Sequence, residues 1–471
     1  MKHSPSSIHR VAIVLAACAA LAARVRAGSP SDSGEDAEKV PAKPVPESMA
    51  EATVALAVVP SPEPGWPQFR GPRRDGKCDE TGLLQSWPEG GPSLIWSASG
   101  LGSGYSSPII VRGRIYITGE EGDELRVFAL DSEGKLLWRS RNGKAWKGSY
   151  PGARASCTYS GGRLYHRNAH GRVACLDAET GRELWAVDVL ERFEGRNITW
   201  ALGECLLVDG KQVFVTAGGR KALVCALDAD TGETLWAGEP LLVESPDGGG
   251  KVAESASYSS PLLCQLGDRR ILFGASLRHH FAADAASGRI LYTVPIRTAY
   301  SVIVMIPLLC GDGIFITAPD TKDGGLYRLR SSGTDLRAVK AWSTALDTCH
   351  GGTILDDGRI YGTWYREKQG WASIDAATGK VLYESLELGM GSVLHADGRL
   401  HCLSQEGEMA LLEPARDGFR FHGRFRLPGT GRKRDAWAHP VILDGRLYLR
   451  YHDAMYAYDI RAGSTGATGA R

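Results

Sequence analysis

Aromatic, arginine and histidine side chains recur in this chain at one kind of position, shortly before a run of apolar, strand-forming residues. Aromatic rings hold planar groups, and arginine and histidine bind anions, so such a set would suit a planar or anionic ligand. The candidate ligand-binding residues are Tyr105, Arg154, Trp200, Tyr258, His350, Trp437 and His439. The alternative interpretation is that these large side chains only close a water-filled channel.

Two of the candidates begin near-identical tetrapeptides, Tyr105-Ser-Ser-Pro108 and Tyr258-Ser-Ser-Pro261. A copied motif also has a purely structural interpretation, as the turn that starts a repeat unit. The other five candidates are not repeated. No Ser/His/Asp order and no paired carboxylates stand out elsewhere, so the sequence assigns no catalytic residue.

Metal binding is not predicted either. His279 and His280 are adjacent, and adjacent residues on a strand point to opposite faces, which makes them a poor chelate. The chain has ten cysteines but no C-x-x-C pair. Without Cys18 nine remain, so at least one thiol is unpaired. We expect the cysteines in predicted strands to be small buried hydrophobic residues rather than disulfides.

The elements that would position the candidates come from a repeat. Eight times a strand-like run ends in an acidic or polar residue and a tight turn, most clearly at Asp177-Ala-Glu-Thr180-Gly181 and Asp228-Ala-Asp-Thr231-Gly232. The marker positions are 131, 177, 228, 284, 330, 375, 413 and 459, so successive markers are 38 to 56 residues apart. This period is typical of four-stranded propeller blades.

Each unit has a second landmark upstream, a Gly turn followed by an alternating apolar strand, as in Gly113-Arg-Ile115 and Gly358-Arg-Ile360. The sequence therefore predicts an all-β, eight-bladed β-propeller of four-stranded antiparallel blades. After Asp459 no outer strand remains, and Ser93-Leu-Ile-Trp96 has no blade before it, so this N-terminal strand should close the last blade. A seven-bladed ring is the alternative, because the fifth and seventh units are weak.

The repeated acidic and aromatic residues have a structural explanation. The acid accepts backbone N–H groups in the turn, Gly supplies the positive φ, and the aromatic ring wedges between neighbouring blades. The predicted blade-docking residues are Asp131, Asp177, Asp228, Asp284 and Asp375, with Trp138, Trp185, Trp236, Tyr292 and Tyr383.

Strand direction assigns these features to opposite edges of the ring. The Gly turns and the Asp-containing turns share one edge, here called the turn rim. The connections between blades and the loops between second and third strands share the other edge, the loop rim. All seven candidate ligand-binding residues precede inner strands, so they should lie on the loop rim near the channel, where loops commonly carry function.

The N-terminus reads as an export signal over 1–27, with basic residues before the apolar run Val11–Ala23. Leu15-Ala-Ala-Cys18 also resembles a lipobox, which would lipidate Cys18 instead. Residues 28–64 are rich in Ser, Pro, Ala and Glu, which predicts a disordered tether. The propeller is assigned to 65–460 and a disordered tail to 461–471.

Charge limits the partners. Lysine and arginine number 55 against 54 acidic residues, a net charge of +1, so neither nucleic acid nor an anionic lipid surface should attract the chain strongly. Contact with a membrane is expected only through lipidation at Cys18. We expect a monomer.

The pattern Ala-x-Asp-x-x-Thr-Gly-x-x-x-Trp, carried best by residues 177–185 and 226–236, resembles the tryptophan-docking motif of the pyrroloquinoline quinone (PQQ) repeat family. The resemblance covers residues 66–460. One branch of that family contains periplasmic quinoprotein dehydrogenases with PQQ and calcium. The other contains non-catalytic propellers similar to the scaffold lipoprotein of the outer-membrane barrel-assembly machinery. The opening Trp66-Pro-Gln-Phe69-Arg-Gly71 looks like the start of exported members without assigned chemistry.

The dehydrogenase branch implies features that this chain lacks. Many of its members have two adjacent, disulfide-bonded cysteines, and they bind calcium through a Glu, an Asn and an Asp. No Cys-Cys pair and no C-x-x-C-H haem motif occur here. Asn197 precedes a predicted inner strand and is the one Asn that we place near the axis, but no matching Glu and Asp are evident. No cofactor is therefore expected, and PQQ with Ca²⁺ has no motif in its support.

The sequence thus favours an exported propeller that acts as a binding or scaffold module at the bacterial cell envelope, in the periplasm, secreted or tethered. Its partner would be an envelope protein, a peptide or a polymer. The alternative is a divergent PQQ-dependent quinoprotein oxidoreductase that uses the rim of the central channel.

Overall fold

The computed structural model describes residues 52–245, 248–366, 368–430 and 435–463, all within the unit Glu51–Arg471. The predicted export signal at 1–27, Cys18 and the tether as far as residue 51 lie outside the described residues. In the part of the chain that is described, no helix is long and apolar enough to cross a membrane.

Eight four-stranded antiparallel blades form the molecule, which confirms the predicted fold class. Each blade contains one marker of the repeat, at or near the end of its third strand. Blades 1 to 4 are Ile109–Val111, Arg114–Glu121, Glu124–Leu130 and Leu136–Lys144; Thr158–Ser160, Arg163–Arg167, Arg172–Asp177 and Glu183–Asp188; Leu207–Asp209, Gln212–Thr216, Val224–Asp228 and Thr234–Ala237; and Leu262–Leu266, Arg269–Ala275, His279–Asp284 and Ile290–Pro295.

The second half of the ring has the same plan, including the two units with weak markers. Blades 5 to 8 are Leu308–Cys310, Gly313–Ile316, Gly325–Ser332 and Asp335–Ser343; Ile354–Asp356, Arg359–Thr363, Trp371–Asp375 and Val381–Ser385; Gly391–Ala396, Arg399–Ser404, Glu408–Pro414 and Phe419–Arg426; and Val441–Leu443, Arg446–Tyr451, Ala454–Asp459 and Ser93–Ala98. The last strand of blade 8 is the predicted N-terminal strand, with Trp96 opposite Ala457.

The core lies between the blades. Each large cluster of buried apolar side chains joins one blade to the next, as where Ile109 and Val127 of blade 1 pack with Leu164 and Leu176 of blade 2. The largest cluster joins blades 7, 8 and 1, so the apolar layers run around the whole ring. Burial of apolar area is the main favourable term in folding, and here it also closes the circle.

A buried arginine completes the closure between the last and first blades. Arg450 of blade 8 donates hydrogen bonds to the carbonyl oxygens of Gly102, Ser106 and Thr118 at 3.1, 3.1 and 2.6 Å. Burial lowers the pKa of Arg450 to about 9. The guanidinium remains charged at neutral pH, and its hydrogen bonds are therefore of the stronger, charge-assisted kind.

On the turn rim the predicted docking tryptophans lie across the blade interfaces. The indole Nε1 of Trp185 in blade 2 donates to the carbonyl oxygen of Ala229 in blade 3 at 3.0 Å. A Cβ on Gly232 would meet the same ring at 2.6 Å, so only Gly lets the turn lie flat on the indole. Trp138 and Trp236 pack against Gly181 and Gly288 in the same way.

The acidic residues organise the turns that receive these rings. Asp177 accepts hydrogen bonds from the backbone N–H and the hydroxyl of Thr180 at 2.8 and 2.7 Å, and Asp375 accepts the same pair from Thr378. Asp131, Asp228 and Asp284 accept backbone N–H groups two residues ahead. Tyr292 and Tyr383 are half-buried against the 4/5 and 6/7 interfaces.

The predicted tether extends too far. Ala52–Thr53 pairs with the third strand of blade 5, and Leu56–Val58 pairs with the inner strand of blade 4. Leu56 and Val58 pack on the apolar cluster between blades 4 and 5, and this alternation of apolar residues was hidden between polar, Pro-rich neighbours. At the other end Arg461 bridges Leu83, so the predicted tail begins at least one residue too early. Residues 464–471 lie outside the described residues.

The chain then enters the ring and fills part of its channel. Residues 66–76, called here the channel plug, touch the inner parts of several blades. Trp66 pairs with Ile110 of blade 1, and the carbonyl oxygen of Pro67 accepts the N–H of Tyr159 in blade 2. Arg74 donates to the carbonyl oxygens of Cys205 and Pro261, which precede the inner strands of blades 3 and 4.

Smaller elements lie outside the blade plan. A four-residue helix, Val189–Arg192, follows blade 2, and a hairpin of Leu242–Glu244 and Lys251–Ala253 separates blades 3 and 4. Lys77–Cys78 runs parallel to the inner strand of blade 7. The nine described cysteines are free thiols, and the five expected in strands, Cys175, Cys225, Cys264, Cys310 and Cys402, lie in strands and are buried.

Candidate functional site

One cavity on the loop rim receives all seven candidate ligand-binding residues. Its volume is about 270 Å³. The side chains come from the loops before the inner strands of six different blades, so only the closed ring assembles them. The lining includes Tyr105, Arg154, Trp200, Tyr258, His350, Trp437 and His439, joined by Phe69, Arg70, Tyr150, Cys205, Tyr300, Val302, Val304, Met305, Ile306, Asp320, Cys349, Tyr365 and Arg366.

Trp437 is the centre of an aromatic wall. His350 stacks on its indole with ring centroids 4.2 Å apart and planes 11° apart. Tyr105 and Tyr150 lie 4.9 and 5.2 Å from the same ring at tilted angles. Offset and tilted pairs of this kind are the favoured aromatic contacts, so the wall is held rigid by its own members.

Trp200 forms a second aromatic group. Tyr258 lies 6.1 Å from its ring, and the hydroxyl of Tyr258 accepts the backbone N–H of Trp200 at 3.4 Å. Tyr300 meets Trp200 edge to face at 6.5 Å. Tyr150 and Tyr300 are 49% and 56% exposed, which places one tyrosine from each aromatic group at the mouth.

Arg154 brings positive charge into this aromatic setting. Its guanidinium donates three hydrogen bonds, to the carbonyl oxygens of Gly152, Ser149 and Tyr150 at 2.7, 3.1 and 2.7 Å. Burial lowers the pKa of Arg154, against the opposing effect of Glu120. The loop therefore holds the cation in place by carbonyl groups, without a carboxylate in direct contact among the described residues.

The two histidines of the cavity are uncharged at neutral pH. Burial lowers the pKa of His350 to about 4 and that of His439 to about 3. The Nε2 of His439 lies 2.8 Å from the carbonyl oxygen of His350, so this nitrogen carries the proton and donates. Its Nδ1 then accepts from Arg70 at 3.3 Å. His439 acts as a bridge between the plug and the loop rim, and His350 as an aromatic surface.

The floor of the cavity is formed by residues that sequence reasoning had not assigned to it. Phe69 meets His439 edge to face at 4.9 Å, and Arg70 is inserted between Gly76 and Gly352, where a Cβ would collide with the guanidinium. Burial lowers the pKa of Arg70 to about 10. The motif Trp66-Pro-Gln-Phe69-Arg-Gly71 was recognisable in the sequence, but its position inside the ring was not.

The pair Arg366 and Asp320 was also missed. Arg366 Nε lies 3.3 Å from Asp320, and its guanidinium lies over the rings of Tyr300 and Tyr365 at 5.3 and 5.0 Å. Five described non-glycine residues in or beside the lining have positive φ between 53° and 66°, namely Arg70, Tyr150, Ala201, Ser301 and Asp320. Strained backbone of this kind gathers at binding sites, and it was the signal that only the structure provides.

The duplicated tetrapeptides serve both proposed roles. Ser107 accepts the backbone N–H of His439 in blade 8 at 2.7 Å, and Ser260 accepts that of Cys205 before blade 3 at 2.9 Å. Each serine thus ties its blade to the preceding one. The tyrosines that begin the motifs, Tyr105 and Tyr258, line the cavity.

The residues that the dehydrogenase resemblance implies do not come together. The amide of Asn197 donates to the carbonyl oxygen of Ala169 and accepts the N–H of Ile198, and Asn197 does not line the cavity. The expected inner strand after it is irregular chain. Asp320 is the one carboxylate among the described residues of the lining, and it pairs with Arg366. Calcium needs about six to eight oxygen ligands, so this lining does not fit a calcium-dependent quinone site.

Metal ligands are absent in general from the described residues, which contain no group of three His, Cys, Asp or Glu able to hold an ion. His279 and His280 diverge as expected. The Nδ1 of His279 lies 3.2 Å from Glu254, whereas His280 is buried beside Phe273.

Comparison with known proteins gives a family and a fold. The family model described as "Outer membrane protein assembly factor BamB" matches residues 123–363. The quinohemoprotein alcohol dehydrogenase ADH-IIG of Pseudomonas putida is 30% identical over 158 residues, which are 31% of this chain and 21% of that protein. The lanthanide-dependent methanol dehydrogenase of Methylacidiphilum fumariolicum is 32% identical over 81 residues, 17% of this chain and 13% of that protein. The match thus spans about a fifth, or less, of these relatives.

Two solved structures share the architecture. BamB from Moraxella catarrhalis superposes with a TM-score of 0.56 at 14% identity, covering 78% of this chain and all of that one. The quinohemoprotein alcohol dehydrogenase from Comamonas testosteroni has a TM-score of 0.51 at 12% identity, covering 86% of this chain and 82% of that one. At these identities the likeness establishes the fold alone.

Proposed function

The chain belongs to the family described as outer membrane protein assembly factor BamB, and from this premise we propose that it is an exported binding or scaffold module of the bacterial cell envelope. One observation carries the proposal. Large aromatic, arginine and histidine side chains from six blades converge on one cavity, and apart from Tyr105 and Tyr258 they occupy positions that are not repeated from blade to blade. Non-repeated residues on a repeated frame are what a binding function adds to a fold.

Binding without catalysis agrees with the chemistry of the cavity. Both histidines have a lowered pKa and are neutral, and burial raises the pKa of the Cys349 thiol, so at neutral pH neither histidine is a protonated general acid and Cys349 is not a thiolate nucleophile. The partner that we propose is an envelope protein, a peptide or a polymer. It contacts a monomeric propeller through the loop rim.

A capture experiment tests this function. The double variant Trp437→Ala with His350→Ala removes the aromatic stack, and the double variant Lys135→Ala with Arg182→Ala alters exposed side chains on the turn rim as a matched control. We expect immobilised wild type and control to retain the same partner from envelope extracts and the rim variant to lose it. Equal capture by all three proteins would refute a role for the loop rim.

A divergent quinoprotein oxidoreductase is the second candidate, favoured by the identity to quinohemoprotein alcohol dehydrogenases over 158 residues. It requires bound PQQ, and we propose that the chain binds none. Purified protein is mixed with PQQ and Ca²⁺, and its absorption spectrum and melting temperature are recorded. A bound-cofactor band with a raised melting temperature would support the oxidoreductase instead.

Export and anchoring are tested by fractionation. If Cys18 is lipidated, the Cys18→Ser variant leaves the membrane fraction while the wild type stays in it. If the signal is removed at Ala27, both proteins are found in the soluble envelope fraction. Retention of both inside the cell would contradict export altogether.

A further inference from the structure

Arg154 is unlike the other charged groups around the cavity. Asp320 pairs with Arg366 at 3.3 Å, and Arg70 is enclosed by the channel plug, His439 and the carbonyl oxygen of Thr353. Arg154 is half-buried and has three hydrogen bonds, all to carbonyl oxygens. Of its five N–H bonds, two have no acceptor among the described residues. A cation held in place with donors left over is suited to receive an anion.

The rest of the lining selects what the anion is attached to. Aromatic faces, chiefly those of Trp437 and Trp200, form two sides, and Val302, Val304 and Ile306 add an aliphatic surface. A cavity of about 270 Å³ accommodates one or two apolar side chains, not a folded domain. One unpaired arginine matches a single negative charge, and transfer of a doubly charged phosphate into such an apolar setting would cost more.

Glu120 is the charge that opposes this assignment. It raises the pKa of Arg154, so the two groups interact, although they form no ion pair among the described residues. The carboxyl of Glu120 accepts the backbone N–H of Trp146 at 2.8 Å, and burial raises its own pKa. Glu120, near the end of the second strand of blade 1, thus anchors the chain that leads to the loop holding Arg154, and the donors that remain on the guanidinium are not used by it.

We propose that the cavity binds a single carboxylate attached to an aromatic or aliphatic group, with Arg154 as the group that binds the carboxylate. This inference rests on the proposed binding function and names the ligand chemistry of the same site. The carboxylate has two sources, the C-terminus of a peptide chain that leaves through the mouth between Tyr150 and Tyr300, or a free organic acid.

The wild-type protein separates these sources. An N-acetylated tripeptide ending in phenylalanine, its C-terminal amide and free phenylacetate are titrated by calorimetry and by the fluorescence of the cavity tryptophans. A charge-assisted hydrogen bond in a half-buried site predicts that the acid peptide binds about tenfold more tightly than the amide. Binding of the acid peptide alone identifies a chain terminus, and binding of both acids identifies the organic acid group itself. Equal affinity of acid and amide, or binding of neither, overturns the proposal.

Variants test whether Arg154 is the positive charge that binds the carboxylate. Arg154→Gln should lose the preference for acid over amide, whereas Arg182→Gln, an exposed arginine on the turn rim, should keep it. A preference that survives in Arg154→Gln excludes Arg154. If this variant does not fold, the acid-to-amide ratio of the wild type still decides. If no acid binds while Trp437→Ala with His350→Ala still loses the envelope partner, this inference fails and the proposed function stands.

Discussion

The two rims of the propeller are built from the same strands but follow different rules. On the turn rim, each docking tryptophan lies on a glycine of the next blade, and one geometry recurs at Trp138, Trp185 and Trp236. On the loop rim only blades 1 and 4 contribute alike, through Tyr105 and Tyr258, and the other side chains of the cavity differ from blade to blade. Repetition marks residues that hold the ring together, and its loss marks residues free to acquire a function.

Backbone conformation shows the same contrast. On the turn rim, non-glycine residues with positive φ, such as Asp357, Asp397 and Asp444, are each followed by a glycine with positive φ, the geometry of a tight two-residue hairpin turn. Around the cavity, Tyr150 and Ser301 have positive φ without such a turn. Left-handed backbone is regular architecture at one rim and local strain at the other.

Low pH should reveal the largest difference between the two rims in their contribution to stability. Burial lowers the pKa of His166 and His350 to about 4 and those of His280, His401 and His439 to about 3, and four of these five lie at loop-rim ends of the blades. Their folded pKa lies below the ordinary value of about 6.5, so the unfolded chain takes up protons first. The contribution of these neutral histidines to the free energy of unfolding is fully present above about pH 6.5 and is lost as the pH falls toward about 4.

Each such histidine should cost about 1.4 kcal/mol at about pH 5.5, or about 7 kcal/mol for the five, measured by denaturant unfolding against about pH 7.5. The turn rim contributes nothing in this window, because hydrogen bonds from Thr180 and Thr378 lower the pKa of Asp177 and Asp375. His401→Leu should recover about one fifth of the loss. A free energy of unfolding that does not change across the window would contradict the assignment.

Truncating aromatic side chains at the two rims should have opposite effects on stability and on partner capture. Trp185→Ala removes the hydrogen bond to Ala229 and opens a gap beneath Gly232, so we expect a loss of about 3 kcal/mol in the free energy of unfolding and unaltered partner capture. Trp437→Ala with His350→Ala should cost less stability and abolish capture. Loss of the partner by a folded Trp185→Ala variant would contradict a purely structural role for the turn rim.

The extent to which the sequence predicted each region follows from this contrast. Blade number, the closing strand and the turn-rim contacts recur along the chain, so a single sequence contains several copies of the signal. The seven rim candidates were found because strand direction fixes which loops face the channel. Phe69, Arg70 and Arg366 join the cavity through contacts between distant segments, which no local pattern encodes. Trp342, which packs on Gly379, was hidden by the longer hairpin of blade 5.

The interface between blades 8 and 1, called here the seam, allows the stability contributed near the loop rim to be compared with that contributed near the turn rim. Arg450→Met leaves the carbonyl oxygens of Gly102, Ser106 and Thr118 without their donor, so we expect a loss of about 2 kcal/mol. Arg446→Met, on the same strand, removes contacts to Ser132 and Glu133 at the turn rim, and should cost less than about 1 kcal/mol. Similar losses in thermal unfolding for both variants would show that the seam does not depend on Arg450.

The smallest expected effect isolates the docking contact itself. Gly181 and Gly162 both have positive φ, 74° and 78°, in turns on the same rim of blade 2. A Cβ on Gly181 would meet the ring of Trp138 at 2.5 Å, whereas a Cβ on Gly162 has nothing within 4 Å. Alanine at either position should cost about 1 kcal/mol for the backbone conformation alone.

Gly181→Ala should therefore be less stable than Gly162→Ala by about a further 1–2 kcal/mol, because the indole must move off the turn. Chemical denaturation of the two variants measures this difference directly, and the shared backbone cost cancels. Fluorescence of Trp138 should shift only in Gly181→Ala. Equal stability of the two variants would mean that the turn at Gly181 adjusts to the Trp138 indole without a loss of stability. The close packing of indole on glycine would then result from the curvature of the propeller and would not help to maintain that curvature.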